Sequence, residues 1–255
     1  MARLTPAVLR SLDILELFLA EDATLSAPEI TQHTGLPRTT VHELLVTLTA
    51  RHYLVRDEVS GRYRLGLRVF QLGNAYGERF DLVQAATEVA RRVSAQCNET
   101  VHAAVRDGRN VVYIAKVDST RAVRMVSAVG RTLPAHCTAV GKALLAGLTD
   151  AELAGLYPNG TELGALTPRS LTSVAELRAQ LRATVERGVS VEECESNPDV
   201  CCLGAPVRDH LDRVVAAMSI SVPANRWTAR GRAGWERLLV DGARELSKQL
   251  GQRGR

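Results

Sequence analysis

The stretch GLPRTTVHELLVTL, Gly35–Leu48, decides the fold, because it joins a glycine turn and a proline to an amphipathic pattern. Proline is tolerated at the first position of a helix, where its missing N–H would have no intrahelical partner, so Pro37 predicts a helix start. Apolar residues then recur at the spacing of one helical face, and polar residues fall mostly on the other. We expect one face to pack in a core through Val41, Leu44, Leu45 and Leu48.

Two more helices are predicted before this stretch. In SAPEIT, residues 26–31, Ser26 is a good N-cap and Glu29 stands three residues later, in the capping-box position. Nearer the start of the chain, apolar residues recur three or four positions apart and predict a longer first helix, whose apolar face is Val8, Leu12, Leu15 and Leu19. The turn at Gly35 therefore joins a short second helix to a third.

Two strands are predicted after the helices, Tyr53–Arg56 and Arg62–Leu65, joined through a turn at Ser60 and Gly61. Three helices and a hairpin form a winged helix-turn-helix, in which the third helix enters a DNA major groove with its N-terminal residues facing the bases. The alternative is an ordinary three-helix bundle with a hairpin. The DNA-binding interpretation assigns contacts to Arg38, Thr39, Thr40, His42, Glu43 and Arg62.

The distribution of charge favours the DNA-binding interpretation. Residues 36–68 carry six arginines and three acidic residues, a net charge of +3. Residues 1–35 carry two arginines and five acidic residues, a net charge of −3. A basic surface on an acidic scaffold is the footprint expected of a DNA-binding domain, whereas the net charge of +4 for the whole chain is too small to indicate nucleic acid by itself.

Length and composition exclude several other classes of protein. A chain of 255 residues, 45% of them hydrophobic, is long enough for two domains. It contains neither a run of about 18 apolar residues nor a signal-peptide core, so we expect a soluble, cytoplasmic protein without a membrane partner. An odd number of cysteines without Cys-x-x-Cys spacing argues against a zinc module and a secreted disulfide framework. We interpret them as reduced, mostly buried thiols: Cys97, Cys137, Cys194, Cys201 and Cys202.

Three segments of the chain form a distinctive set: YRLGLRVFQLGNAY (63–76), RTLPAHCTAVGKALLAGL (131–148) and CCLGAPVRDHLDRVVAAMSISVP (201–223). In that order, they resemble the linker helix, the central segment and the C-terminal signature of the IclR family of bacterial transcription regulators. The resemblance covers nearly the whole chain in the family's order. It implies an α+β protein, with a winged helix-turn-helix domain at residues 1–65, a linker helix at 66–77, and a GAF-like α+β effector-binding domain at 78–255.

Residue patterns in the second half agree with an α+β sheet domain. The apolar runs 101–106 and 111–117 flank DGRN, a strong hairpin signal. Strands are also predicted at 121–127, 201–207 and 214–222, and helices at 139–148, 173–187 and 236–250. Antiparallel strands with helices segregated around them form such a domain, and we expect its sheet to offer a concave pocket.

Chemistry-bearing residues in this half do not predict an enzyme. Cys137 adjoins His136, but adjacent side chains usually point in different directions, and neither a Gly-x-Ser-x-Gly elbow nor a phosphate-binding glycine loop is present. Spaced histidine, cysteine and carboxylate ligands for a metal are also missing from the sequence. Ordinary packing explains each residue taken alone, including His102 and Cys201. We therefore predict no catalytic residue, no metal and no cofactor.

The resemblance implies that a small effector binds between the helix after the LPAH turn and the strands of the C-terminal signature. Ser219 and Ser221 alternate along a strand, so their hydroxyl groups face the same side. The N-terminus of the helix at Ala139 offers N–H groups to a carboxylate or another acceptor. This combination fits a small organic acid or a related aromatic or amide compound. Transferred by motif position, the effector-binding residues are Leu133, Ala139, Val140, Glu192, Val200, Cys202, Ser219 and Ser221.

Two departures from the family pattern affect this transfer. Glu43 stands where an arginine usually follows His42. A carboxylate cannot bond phosphate and is expected to accept from a cytosine amino group or to orient a neighbouring arginine, so the operator sequence is expected to differ. Asp199 replaces the glycine usual before the signature cysteine, and the preceding EECESNP segment is acidic.

The sequence thus predicts a transcriptional regulator, with a repressor favoured over an activator. We expect it to bind an inverted-repeat double-stranded DNA operator as a homodimer or homotetramer under the control of its effector. The alternatives are a ligand-binding protein whose N-terminal domain makes only protein contacts, and an enzyme of unrecognised type.

Overall fold

Two units divide the chain, Met1–Phe80 and Asp81–Arg255. The computed structural model describes residues 4–19, 24–78, 82–121, 128–158 and 160–252. Within the described part of the first unit, the helices are α1 (Pro6–Glu16), α2 (Ala27–Thr34), α3 (Arg38–Ala50) and α4 (Leu67–Glu78), and a two-stranded antiparallel sheet is formed by β1 (Leu54–Arg56) and β2 (Tyr63–Leu65).

Capping interactions fix both ends of α2, as the sequence predicts. Ser26 accepts a hydrogen bond from the Glu29 amide, and the Glu29 carboxylate accepts one from the Ser26 amide at 2.7 Å, which completes the capping box. Gly35 ends the helix with a φ of 65°, a left-handed conformation that glycine adopts without steric cost. Helix α3 begins at Arg38, one residue later than predicted, because Pro37 keeps an extended ψ of 141° as the N-cap.

The first helix packs with a different face from the one predicted. Its buried residue is Ile14, and Phe18 is buried in the 3-10 turn that follows, Leu17–Leu19. Three of the four residues whose spacing predicted this helix are exposed: Val8 by 56%, Leu12 by 48% and Leu19 by 76%. The pattern predicted the helix correctly but chose the wrong one of two apolar stripes. Helix α1 therefore presents apolar side chains on its outer surface.

The second unit contains a six-stranded antiparallel sheet in the order β5-β4-β3-β8-β7-β6, which confirms the predicted α+β class. Its described strands are β3 (Thr100–Asp107), β4 (Asn110–Val117), β5 (Thr132–Pro134), β6 (Ser190–Glu193), β7 (Val200–Arg208) and β8 (Val214–Pro223). Its described helices are α5 (Leu82–Cys97), α6 (Ala139–Leu145), α7 (Asp150–Leu156), α8 (Val174–Arg187) and α9 (Ala229–Gln249). Among the described helices of the chain, none is long and apolar enough to cross a membrane.

Most predicted elements of this unit are present, with shifted ends. Helix α6 stops at Leu145, three residues before the predicted end, and α9 begins seven residues before the predicted start. The strand predicted at 121–127 lies outside the described residues apart from Arg121, which is in a bend. Strand β6 was not predicted, because its sequence SVEE contains two carboxylates and no strong strand signal.

The two faces of the sheet differ in polarity. On one face, alternate residues of β3, β7 and β8 pack with α5 and α9 in an apolar core that includes Val101, Leu203 and Met218. The intervening residues point to the opposite face, because successive side chains of a strand alternate. They include buried polar side chains from four strands, which we call the polar row: His102, Glu192, Cys202, Ser219 and Ser221.

Helix α6 approaches the polar face closely because glycine removes the obstructing side chain there. A Cβ atom at Gly204 would lie 2.4 Å from the Ala139 carbonyl oxygen and 2.5 Å from Ser190 Oγ. The Ser190 hydroxyl donates to the same Ala139 oxygen at 2.7 Å. The N-terminal end of α6 is thereby held against β6 and β7.

We predict that Gly204→Ala destabilises the C-terminal unit, because the added methyl group overlaps the Ala139 carbonyl and the Ser190 hydroxyl. Overpacking of this kind costs about 1–3 kcal/mol, measurable by urea unfolding. Gly155→Ala is the matched control, since nothing lies within 4 Å of a Cβ atom there. Alanine is also preferred to glycine in a helix by about 1 kcal/mol. Equal stability of the two variants would contradict the overlap.

Candidate functional site

The N-terminal half of α3 presents the polar side chains that the sequence assigns to DNA. Arg38, Thr39, His42 and Glu43 are exposed, and Thr40 is half-buried. The buried residues of the same helix, Val41, Leu45 and Leu48, hold it against the rest of the first unit. The predicted separation into a core face and an outward face is therefore present.

The hairpin arginine Arg62 is engaged within the protein. Its Nη2 lies 3.0 Å from the Glu29 carboxylate, and its Nε donates to Thr24 Oγ1 at 3.1 Å. The Ser26 amide and hydroxyl, together with Arg62, hold the pKa of Glu29 below its usual range. The exposed Arg64 was missed by the sequence argument. Strand alternation predicts it, since Tyr63 is buried between Arg62 and Arg64.

In the second unit, strand register aligns part of the polar row. Glu192 of β6 pairs with Cys202 of β7, which pairs with Ser221 of β8. The Cys202 thiol donates to Ser221 Oγ at 3.2 Å, and that oxygen lies 3.4 Å from His102 Nδ1. Ser219 pairs with both Gly204 and His102 in the neighbouring register. Three predicted effector residues, Glu192, Cys202 and Ser221, thus lie side by side across the sheet, and His102 contacts the last of them.

The remaining predicted effector residues belong to two apolar clusters. Ala139, at the start of α6, packs with Val200 and Cys202. Val140 packs with Leu133 in a larger cluster that also contains Tyr113. The Tyr113 ring lies 5.0 Å from the His102 ring, measured between centroids. His102 and Tyr113 were absent from the predicted effector set; strand alternation alone does not single them out, because their neighbours come from other strands.

Glu192 is the most unusual member of the polar row. Its side chain is fully buried, and Oε1 accepts hydrogen bonds from the amides of Glu195 at 2.5 Å and Ser196 at 3.0 Å. Within the described parts of the chain, Oε2 has no hydrogen-bond partner. Burial raises the pKa of Glu192, with the charge of Glu195 acting in the same direction. Leaving a buried polar atom without a partner costs free energy.

A buried ion pair between Lys142 and Glu195 lies next to Glu192. Lys142 of α6 is fully buried, and its Nζ donates to Glu195 Oε1 at 2.6 Å, to the Val191 carbonyl oxygen at 3.0 Å, and to Gln180. Because the Glu195 amide bonds Glu192, this pair also fixes the Glu192 carboxyl group. Lys142 was not among the predicted site residues, although a lysine within the apolar helix AVGKALL indicates a buried partner.

Burial also shifts the pKa values of His102, Tyr113 and Cys202, each toward the neutral form. Burial lowers the pKa of His102 to about 4 and raises the pKa values of Tyr113 and Cys202. At the predicted anion-binding end of α6, the Gly141 amide donates to the Thr138 hydroxyl at 3.1 Å. One of the helix N–H groups is therefore already used within the protein.

The cysteine–histidine pair of the sequence has no catalytic geometry. Cys137 Sγ donates to the Pro134 carbonyl oxygen, while His136 Nε2 is hydrogen-bonded to the Gly164 carbonyl oxygen at 2.9 Å. Burial raises the pKa of Cys137 to about 12, so its thiolate is scarce at neutral pH. Across the described residues, no group of three or more histidine, cysteine, aspartate or glutamate side chains is placed to bind a metal ion.

Comparison with known proteins identifies the family of the chain. Residues 7–58 match the IclR helix-turn-helix domain, and residues 74–248 match the bacterial transcriptional regulator IclR C-terminal domain. The chain is 34% identical over 245 residues to the HTH-type transcriptional regulator XynR of Escherichia coli (strain K12), which covers 96% of this chain and 97% of XynR. It is 33% identical over 245 residues to the HTH-type transcriptional repressor AllR of Salmonella typhimurium, covering 96% of this chain and 90% of AllR.

A crystal structure of the Thermotoga maritima IclR has the same fold, with a TM-score of 0.77 and 27% sequence identity over 96% of this chain and 98% of that one. Both domains are thus matched in order along one chain. The protein belongs to the IclR family and is a transcriptional regulator, not an enzyme, with a DNA-binding helix-turn-helix domain and an effector-binding C-terminal domain.

Proposed function

We propose that this protein is a repressor that binds an inverted-repeat operator as a homodimer or homotetramer and responds to a small organic acid or a related aromatic or amide compound. The observation that carries the effector part is the polar row beside α6, where Glu192 Oε2 has no partner among the described residues. The name of the relative AllR, a transcriptional repressor, supports the repressor part.

Surface chemistry of the first unit supports the operator part. The exposed polar residues at the start of α3 are of the types that contact bases and phosphates, and Arg56 and Arg64 are exposed on the hairpin. A single recognition helix reads only a short half-site, so dimers double the recognised length. The apolar outer surface of α1, with Val8, Leu9 and Leu12 exposed, is suited to a second copy of the chain.

Chemistry of the polar row supports a small polar ligand with an apolar body. Neutral hydroxyl, thiol and imidazole groups of Ser221, Cys202 and His102 adjoin the apolar side chains of Ala139 and Val200. Such a mixture binds compounds that combine a few hydrogen-bonding groups with apolar surface. The proposed residues for this site are Leu133, Ala139, Val140, Glu192, Val200, Cys202, Ser219 and Ser221.

We predict that Arg38→Ala and Thr40→Ala each weaken operator binding about 10- to 100-fold, since a lost base contact costs about 1–3 kcal/mol. Fluorescence anisotropy with an operator selected from random DNA measures this at fixed salt. Thr47→Ala is the matched control, because Thr47 is exposed on the same helix beyond the base-facing end. Wild-type affinity in the first two variants would contradict the assignment.

The same anisotropy experiment tests Arg62 of the hairpin, for which we expect a change in the salt dependence of DNA binding. Arg62→Ala should weaken binding to operator and unrelated DNA alike and lower the salt slope by about 1, as the loss of one phosphate contact does. Glu29→Gln breaks the ion pair but keeps the arginine. If Glu29→Gln reproduces the whole effect, Arg62 acts through the fold instead of through DNA.

A second prediction concerns the effector, to be found by a thermal-shift screen of small acids, aromatic acids, amides and hydrazides. Ser219→Ala and Ser221→Ala should each weaken its binding by about 1 kcal/mol, the net worth of one hydrogen bond. Val140→Trp should fill the site and abolish the response, while operator affinity without effector stays near that of wild type. Calorimetry measures the first effect and anisotropy the second. A normal response in Val140→Trp would place the ligand elsewhere.

A third prediction concerns communication through α4, which carries exposed Leu67, Phe70 and Leu72. Replacing residues 67–74 with a glycine-serine segment of equal length should leave effector affinity unchanged and make operator affinity insensitive to effector. Coupling is reciprocal, so titrating effector into free and operator-bound protein must give the same factor as the converse titration. Equal coupling in wild type and variant would show that α4 does not carry the signal.

A further inference from the structure

Two cysteine side chains face each other at the end of the β6–β7 pair. Cys194 Sγ and Cys201 Sγ are 3.6 Å apart, and both residues are buried, with exposed fractions of 6% and 3%. The backbone fixes this proximity, because Cys201 is the register partner of Glu193 and the Cys194 amide donates to the Val200 carbonyl oxygen at 2.9 Å. The pair is therefore built by strand pairing and not by a chance contact of loose loops.

The other three cysteines have different surroundings. The thiols of Cys97 and Cys137 donate to backbone carbonyl oxygens, and the thiol of Cys202 donates to the Ser221 hydroxyl. All five cysteines lie within the described residues, and only Cys194 and Cys201 have a sulfur as the recorded partner. A disulfide requires sulfur atoms about 2.05 Å apart on neighbouring backbones. The two sulfur atoms must therefore approach from 3.6 Å to that length.

We propose that Cys194 and Cys201 form a modification site in which a hydroperoxide joins them as an intramolecular disulfide. In the first step one thiolate attacks hydrogen peroxide, which yields a sulfenic acid and, after proton transfer, one molecule of water. In the second step the other sulfur attacks the sulfenic sulfur and loses its proton, and the hydroxyl group leaves as a second molecule of water. Two thiols and one peroxide become one disulfide and two waters.

Burial makes the two steps differ in rate. It raises the pKa of Cys201 to about 12, and the neighbouring Cys194, Glu192 and Glu193 act in the same direction. Because the thiolate is the attacking form, the first oxidation is slow. Once one sulfur is oxidised, the partner at van der Waals distance reacts within the same chain, and this proximity favours closure over further oxidation. The disulfide accumulates in place of a sulfenic or sulfinic acid.

The bond would pin the segment between β6 and β7. That segment contains Glu195 and Ser196, whose amides hold the Glu192 carboxyl group, and it is followed by Cys202 of the polar row. Closing a short loop covalently limits its opening. Oxidation therefore restricts the Glu195 and Ser196 amides that hold Glu192, but it modifies no residue of the polar row.

Peptide mapping of the full-length wild-type protein tests the proposal directly. After exposure to hydrogen peroxide and quenching, denaturation with a maleimide labels every remaining thiol, and mass spectrometry identifies linked peptides. We expect one Cys194–Cys201 link, lost on reduction, and a chain lighter by two hydrogen atoms. Maleimide labelling of both Cys194 and Cys201 in protein whose Cys97 is already oxidised would overturn the proposal. A link from either residue to another cysteine or to another chain would also overturn it.

Variants and hydrogen exchange add a second measurement. Cys97→Ser should retain the link, whereas Cys194→Ser and Cys201→Ser should each lose it. In the wild type, exchange of the Glu195 and Ser196 amides should slow about tenfold on oxidation and recover on reduction, as expected when local opening is restricted. Unchanged exchange in protein that carries the link would refute the pinning, and the mapping result does not depend on any effector.

Discussion

A fully buried ammonium group, that of Lys142, sets the constraint on which the C-terminal unit depends. Removing such an ion from water costs several kcal/mol unless its hydrogen bonds are replaced. Here Glu195, Val191 and Gln180 replace them, so the ion pair ties α6 to α8 and to the segment after β6. Loss of one partner would leave an uncompensated buried charge, at a cost of about 3–5 kcal/mol. The position of α6, and with it one wall of the candidate effector site, follows from this pairing.

The Gly204 contact is a second tie between α6 and the sheet. The missing side chain at Gly204 lets the Ala139 carbonyl oxygen accept from the Ser190 hydroxyl. In the first unit, Glu29 has two roles, because its carboxylate caps α2 and also binds Arg62. In both units a polar contact that ends or positions a helix also holds a neighbouring strand or loop.

Local patterns predicted the parts of the fold that depend on local physics. The capping box at Ser26, the turn at Gly35 and the DGRN hairpin all appear at the expected residues. The buried face of α1 was predicted wrongly, because two apolar stripes satisfy helical spacing and only the tertiary partners Ile30 and Leu45 choose between them. Strand β6 was missed, since SVEE becomes a strand through pairing with β7 and not through its own propensity.

The candidate sites divide in the same way. The alternation of side chains along a strand predicted from the sequence that Ser219 and Ser221 share one face. In the structure both are buried on the polar face of the sheet. The contact between Ser221 and His102 joins residues 119 positions apart, so it depends on a register that no local pattern specifies. Lys142 was missed for a related reason, because its partners come from α8, β6 and the segment after β6, and none lies near it in sequence.

Charge balance around Glu192 constrains the proposed ligand further. Lys142 is matched by Glu195 and does not neutralise Glu192; burial raises the pKa of Glu192, while hydrogen bonds from the Ser196 and Glu195 amides and from Cys202 act in the opposite direction. In its neutral form the carboxyl group donates one hydrogen bond and accepts others. A ligand carboxylate would accept from that hydroxyl, but it would bring its own charge into a site where burial lowers the pKa of His102 to about 4. An amide offers both an acceptor and a donor without a net charge, and burying it costs far less than burying an ion. Among the proposed effector classes, the amide therefore requires the least compensation from this site, whereas a carboxylate requires Glu192 to keep its proton.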